Sequence, residues 1–360
     1  MSRLSDTIVG TTGGGDENDF SHDMSDINFH RAAMKLQQAN YLLITTGAGF
    51  CADSGLQTYE CAPVEYRDMC NPFKLTEEPY KFQQFWLNFT RSYMDTKPHI
   101  GYELLDQWCN GSRLKNLKRS SNSSDNNNVP VPWYVYTSNV DNHFNRFSSF
   151  KETLCAIHGS ALQFRCACGI GYANGQPRMG NEWDIWNEQM TSCTDACKQT
   201  TIQMSKSILQ DISNSDHIFS CTYCNQPMRP NVLMFHDTDD NVLRGINSQR
   251  ERYQAWEARV EEEVATKNMN LVILELGCGT KVPAVREESE EVLIDTAKKI
   301  KSHEGSKGSV CLIRINPKDA DIVVEGEEES SLDTISITST AANALPKLDS
   351  SLKENWNDCE

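Results

Sequence analysis

Three polar residues and a glycine turn carry the chemistry this chain suggests. Asn139 and Asp141 stand in Thr137-Ser-Asn-Val-Asp-Asn-His-Phe144, directly after an apolar run, and His158 opens the pair His158-Gly159 a short stretch later. Following a buried strand, Asn139, Asp141 and His158 can converge at the strand ends, where a parallel sheet binds its ligands. Taken singly, Asn139 and Asp141 read equally well as turn residues, and His158 as a satisfied loop histidine. The turn Gly47-Ala48-Gly49 ends the apolar run Tyr41-Leu42-Leu43-Ile44. Its small residues allow close backbone approach, and its N–H groups can cradle a dinucleotide pyrophosphate. Gly47, Gly49 and Gly55 do not fit G-x-G-x-x-G, so a plain tight turn is the alternative.

A second constellation is built of thiols. Cys166-Ala-Cys168 precedes Cys221-Thr-Tyr-Cys224 by some fifty residues. Two close pairs across a long insertion form the layout of a closed four-thiolate structural zinc ribbon. Cys166, Cys168, Cys221 and Cys224 are the favoured ligands. C-x-C is tighter than the usual knuckle, which leaves Cys193 and Cys197 as substitutes; buried thiols without metal are the plain alternative.

The elements that must position these groups are legible from periodicity. Phe29, Ala33, Leu36 and Ala39 recur at helical spacing ahead of the first strand. Aromatic and aliphatic residues from Tyr66 to Trp108 predict a helical segment broken at Pro98. Val131–Thr137, Leu271–Leu276 and Val310–Ile315 read as buried strands, Arg252–Val264 as a charged helix, and Thr334–Leu345 as a last strand and helix. Buried strands alternating with helices predict a doubly wound parallel α/β sheet, which binds ligands outside the strands' carboxyl ends. The GAG turn, Thr137–Asp141, Gly277–Thr280 and Asn316 should then share one edge. Ser120–Pro130 is low-complexity and reads as a surface loop, as does the acidic stretch Glu325–Glu329.

At 360 residues the chain can hold one large α/β domain, alone or with a small one. A net charge of −16 argues against general nucleic-acid binding. The absence of an 18-residue apolar run argues against a membrane helix, and an acidic N-terminus without an apolar core argues against secretion. The 14 cysteines are therefore read as thiols and metal ligands in a reducing compartment, cytoplasmic or nuclear.

Taken in order, the motifs resemble the sirtuin family. They are the GAG turn, an Asn-x-Asp after a strand, His-Gly before the first cysteine pair, the second pair, Arg229-Pro230-Asn231-Val232-Leu233-Met234-Phe235, Gly277–Pro283 and Arg314-Ile315-Asn316-Pro317. The resemblance runs from about residue 29 to about residue 345. It implies a Rossmann-like catalytic domain over 28–349, with a zinc-ribbon module inserted at about 164–230, a helical cofactor-loop module, a polar loop at 117–130, and tails at 1–27 (disordered) and 350–360. The implied activity is NAD-dependent removal of acyl groups from protein lysines, releasing nicotinamide and acyl-ADP-ribose, with NAD and a structural Zn2+ as cofactors. His158 matches the general base, and Asn139 and Asp141 the residues that order a water and hold the nicotinamide carboxamide. Gly47, Ala48 and Gly49 match the phosphate turn, and Asn316 the adenosine-ribose contact. Tyr59, Ser138, Gly277 and Cys278 fall at further cofactor positions. Val232, Met234 and Phe235 match the segment that binds acylated peptides by strand addition.

The sequence departs from that pattern at several positions. Cys51 stands for a serine, Gln57-Thr58-Tyr59-Glu60 for Pro-Asp-Phe-Arg, Ser138 for glutamine, and Gly277-Cys278-Gly279 for Gly-Thr-Ser. His236 replaces a glycine and is expected to narrow the acyl-lysine channel. Two alternatives follow: transfer of ADP-ribose to protein, or a catalytically silent NAD or ADP-ribose sensor.

Overall fold

Along the strand Tyr41–Thr46, side chains alternate between two cores. Leu42 and Ile44 pack with the helices Glu17–Gln38, Ile100–Cys109 and Ala341–Asn357, whereas Tyr41 and Leu43 pack with Asp240–Lys267 and Ala284–Ser302. The unbroken apolar run Tyr41–Ile44 is thus explained by burial on both faces. The computed structural model describes residues 17–58, 64–111, 113–117, 130–169, 172–173, 176–177, 195–213, 217–237, 239–322 and 332–357. The polar loop around 118–129, Tyr59, Glu60, Cys193 and Glu325–Glu329 lie outside them.

The strands are β1 (Tyr41–Thr46), β2 (Trp133–Thr137), β3 (Leu154–Ala156), β4 (Gly159–Cys166), β5 (Tyr172–Ala173), β6 (Gln176–Pro177), β7 (Thr201–Gln203), β8 (Met228–Val232), β9 (Asn270–Leu276), β10 (Ser309–Ile315) and β11 (Asp333–Ile337). Six form one parallel sheet in the order β11-β10-β9-β1-β2-β3, and β7-β4-β8 form a small antiparallel sheet. The order reverses between β1 and β9, which pair with Thr46 opposite Leu276. That reversal is the switch point where doubly wound sheets hold ligands. The expected doubly wound architecture is borne out.

The predicted helical segment around Pro98 is present as the helices Val64–Met69, Lys74–Glu77, Pro79–Asp95 and Ile100–Cys109. Three boundaries move. The first helix begins at Glu17, inside the segment read as a disordered tail. The last runs to Asn357, past the expected limit at 349, because Leu345, Leu348 and Leu352 are fully buried and Trp108 donates to Asp349 at 3.0 Å. The helix read at Arg252–Val264 spans Asp240–Lys267, started by Asp239, whose carboxylate accepts the Asn241 amide at 2.9 Å. Among the described residues, no helix is long and apolar enough to cross a membrane.

Candidate active site

At the switch point two glycine turns lock into each other. The Gly49 amide donates to the Gly277 carbonyl at 2.8 Å, and the Gly47 amide to the Leu276 carbonyl at 3.1 Å. A Cβ on Gly47 would stand 2.7 Å from the Gly277 carbonyl oxygen, and one on Gly49 would stand 2.8 Å from the same atom. Much of the demand for glycine here is therefore internal to the fold. The Cys278 carbonyl is pinned by Asn316 Nδ2 at 3.1 Å and Arg286 Nη1 at 3.3 Å. The Cys278 thiol turns inward toward the Leu276 carbonyl and is buried, so only the backbone of this turn can face a ligand.

The β2 end reaches the same edge. The Asn139 amide donates to Thr137 Oγ1 at 3.0 Å, and Asn139 Nδ2 to the Gly47 carbonyl at 2.9 Å. A carbonyl can only accept, so this bond fixes which amide atom is nitrogen and leaves Oδ1 for a ligand. His158 Nδ1 lies 3.1 Å from the Ser138 carbonyl. The same logic places the proton on Nδ1 and leaves Nε2 as the basic nitrogen. Burial lowers the His158 pKa below its ordinary value, opposed by the Ser138 bond, so the ring is a neutral base at pH 7.

A cavity of about 260 Å³ brings these groups together. Ala48, Ser138, Asn139 and His158 line it, together with Val232, Met234 and Phe235. Cys51 lines it too, donating its thiol to the Ala48 carbonyl at 3.2 Å; burial, then the Asp141 charge, push that thiol well up and keep it neutral. Asp141 is not in this wall. It is buried behind it, accepting from the His143 amide at 2.7 Å and the Tyr102 hydroxyl at 3.2 Å, and burial raises its pKa to about 6. His236 does not narrow the cavity either: its side chain is exposed, although its backbone keeps the left-handed conformation (φ 60°) natural to glycine.

The segment after β8 is held from two sides. The Leu233 amide donates to the His158 carbonyl at 3.0 Å, the Met234 amide to Asp237 Oδ2 at 3.2 Å, and the Phe235 amide to the Cys70 carbonyl at 3.1 Å. Asp237 is in turn fixed by fully buried Arg229, which also pairs with Asp239 at 3.5 Å.

Four thiols form the second site. The sulfurs of Cys166, Cys197, Cys221 and Cys224 all lie within 4.8 Å of one another. Those of Cys166 and Cys224 are 3.4 Å apart and those of Cys197 and Cys221 are 3.9 Å apart. Sulfurs about 2.3 Å from a tetrahedral zinc would be about 3.8 Å apart, so the cluster fits a structural zinc site. The expected set changes by one member: Cys168 stands outside the four, in hydrogen-bond contact with Cys166, and Cys197 takes its place. Cys166 ends β4 and Cys168 lies in the turn beyond it, against which the helix Asp195–Gln199 packs and delivers Cys197.

No protein-family model matches the chain. A curated relative from Corynebacterium efficiens, NAD-dependent protein deacylase 2, is 23% identical over 331 residues, covering 90% of this chain and 98% of the relative. Among solved structures, one described as addressing the structural basis of sirtuin substrate affinity superposes with a TM-score of 0.53 at 14% identity, over 89% of this chain and 98% of that one. A Sir2 homologue–NAD complex gives 0.50 at 16% identity, over 90% and 94%. The chain has the sirtuin fold. The resemblance read from the sequence is thereby borne out across nearly the whole described length. Sir2Tm bound to a propionylated peptide matches as well, at a TM-score of 0.51 and 14% identity over 91% and 98%.

Sequence reading of this sirtuin fold missed the apolar wall of the cavity: Tyr66, Cys70, Trp86, Tyr93, Val140 and Val282. A signal was available for part of it. Trp86 and Tyr93, seven residues apart, lie on one stripe of the helix Pro79–Asp95.

Proposed function

We propose that the chain removes acyl groups from protein lysine side chains, consuming NAD and releasing nicotinamide and acyl-ADP-ribose. The observation that carries this reading is His158, a neutral imidazole with its proton fixed on Nδ1 by the Ser138 carbonyl and its basic nitrogen on a side chain lining the cavity. The name of the curated relative and the NAD and propionylated-peptide complexes among the structural neighbours support the same chemistry.

The residues present fit a dinucleotide. The Ala48 amide at the start of its short helix, Asn139 Oδ1, the Gly277–Cys278 backbone, Ser138 and Asn316 lie along one edge of the sheet, with Gly47 and Gly49 keeping that edge free of side chains. Bound NAD would supply an electrophilic anomeric carbon and nicotinamide as leaving group. The chain would hold the dinucleotide along this edge, orient a water or the carboxamide through Asn139, and take a hydroxyl proton at His158 Nε2. Asp141 is assigned to fixing the Asn139–His143 loop from behind. Acylated lysine enters beside Val232, Met234 and Phe235. Because the amides of residues 233–235 are already engaged, strand addition there would rest on acceptors such as the Leu233 carbonyl.

Incubation with NAD and acylated lysine peptides, followed by mass spectrometry, tests the reading. Nicotinamide, deacylated peptide and acyl-ADP-ribose are expected in equal amounts. ADP-ribose attached to protein, or NAD binding with no product from any acyl chain, would overturn it.

A further inference from the structure

The apolar wall of the His158 cavity has a chemistry of its own. Cys51, Cys70, Trp86, Tyr93, Val140 and Met234 line it, and burial raises the pKa values of Cys51, Cys70 and Tyr93, so all three stay neutral. A second cavity of about 460 Å³ adjoins the first. Gln57, Tyr66 and Tyr93 line both, and Leu56, Phe85 and Phe89 complete the apolar lining of the second. Among the described residues, neither cavity is lined by Asp, Glu, Lys or Arg. The helix Pro79–Asp95 serves both spaces, with Trp86 facing the first, Phe85 and Phe89 the second, and Tyr93 between them.

We propose that the preferred substrates are lysines bearing neutral aliphatic acyl chains much longer than acetyl, the chain running from His158 past Tyr66 and Tyr93 into the adjoining cavity. This rests on the deacylase reading and specifies its substrate class. An acetyl group leaves most of this apolar surface uncovered. Each further methylene that reaches it tightens binding about three- to fourfold, the ordinary return on moving a CH₂ out of water. A dicarboxylic chain such as succinyl would place a carboxylate against aromatic rings and neutral thiols with no Lys or Arg among the described lining residues to pair it, so charge sets the second half of the preference.

One peptide carrying acetyl-, butanoyl-, decanoyl- or succinyl-lysine, tested against the full-length zinc-loaded protein, separates the outcomes. Turnover with NAD gives kcat/KM, and calorimetric titration in the presence of ADP-ribose gives affinity independently of catalysis. Decanoyl peptide should bind at least about thirtyfold more tightly than acetyl, and succinyl at least about tenfold more weakly than butanoyl. Ser92 lies at the exposed rim of the second cavity. Ser92→Trp should cut the decanoyl-to-acetyl ratio about tenfold, and Asn88→Trp on the same rim should do likewise. Equal affinity for acetyl and decanoyl, or tightest binding of succinyl, overturns the proposal. Turnover best with acetyl overturns the chain preference while retaining the deacylase reading. Tight decanoyl binding with no turnover of any peptide supports the preference and overturns the deacylase reading.

Discussion

The backbone carbonyl of His158 accepts the amide of Leu233 at 3.0 Å, so the proposed base and the neighbouring segment that lines the cavity beside it are joined through one peptide unit. From the same histidine, Nδ1 reaches back to the Ser138 carbonyl at 3.1 Å. The imidazole is thus placed between the β2 end and the residues following β8, and its orientation depends on both.

A base held this way should work below the usual histidine range. Burial lowers the His158 pKa from its ordinary 6.5, so the neutral ring persists at pH values where a free histidine is already protonated. The acid limb of the kcat/KM profile is expected below pH 6.5. His158→Ala should cost about 10²–10⁴-fold in turnover. A limb at or above pH 6.5, or near-normal turnover in the variant, would contradict this assignment.

Gly159 is the structural hinge of that arrangement. Its φ is 78°, and a Cβ there would collide with the Asn231 carbonyl of β8. Gly159→Ala must both leave the left-handed region and break the β4–β8 pairing, at a cost of about 3 kcal/mol or more. For a chain of this length that is a fall of roughly 4 °C or more in Tm by thermal denaturation, accompanied by loss of activity. An unchanged Tm would show that the two strands can separate here without penalty.

The parallel sheet and its carboxyl edge were readable because buried strands announce themselves as unbroken apolar runs, and because Gly47, Asn139, Gly277 and Asn316 each directly follow or lie close behind one. Asp141 was legible as a motif residue but not as a buried one, since the ring of Tyr102 that covers it comes from a distant helix. β3, β4 and β8 are short or irregular, and their pairing is long-range, so nothing local marks them. Cys197 could not be chosen over Cys168 from spacing, because what brings it to the cluster is the docking of a five-residue helix. The cavity wall was half visible: the aromatic stripe of Pro79–Asp95 was apparent as a periodicity, but not as two faces serving two spaces.

The zinc cluster separates the two candidates directly. Metal analysis of purified protein should give one zinc per chain. Cys197→Ser and Cys221→Ser should each lose it and unfold the antiparallel module, because a structural zinc supplies much of such a module's folding free energy. Cys168→Ser should retain stoichiometric zinc. The opposite pattern, retention in Cys197→Ser and loss in Cys168→Ser, would restore the C-x-C pair as the ligand set.

Between the helices Asp240–Lys267 and Ala284–Ser302, Glu257 has a pKa raised to about 8, first by burial and then by Glu288, Glu261, Glu291 and Asp295. Lys299 offsets part of this charge through Glu261 at 2.8 Å. The sign follows from the raised value. The folded protein binds a proton at Glu257 that the unfolded chain has released above about pH 4.5, so stability falls as pH rises from there through about 8. Tm should therefore be higher at pH 6 than at pH 8.5. Glu257→Gln keeps the shape, removes the titration and should flatten that slope, adding about 1–2 kcal/mol at pH 8.5, well under the full linkage value because Glu257 is only half-buried. Parallel Tm–pH curves for the two proteins would mean that another group controls the alkaline loss.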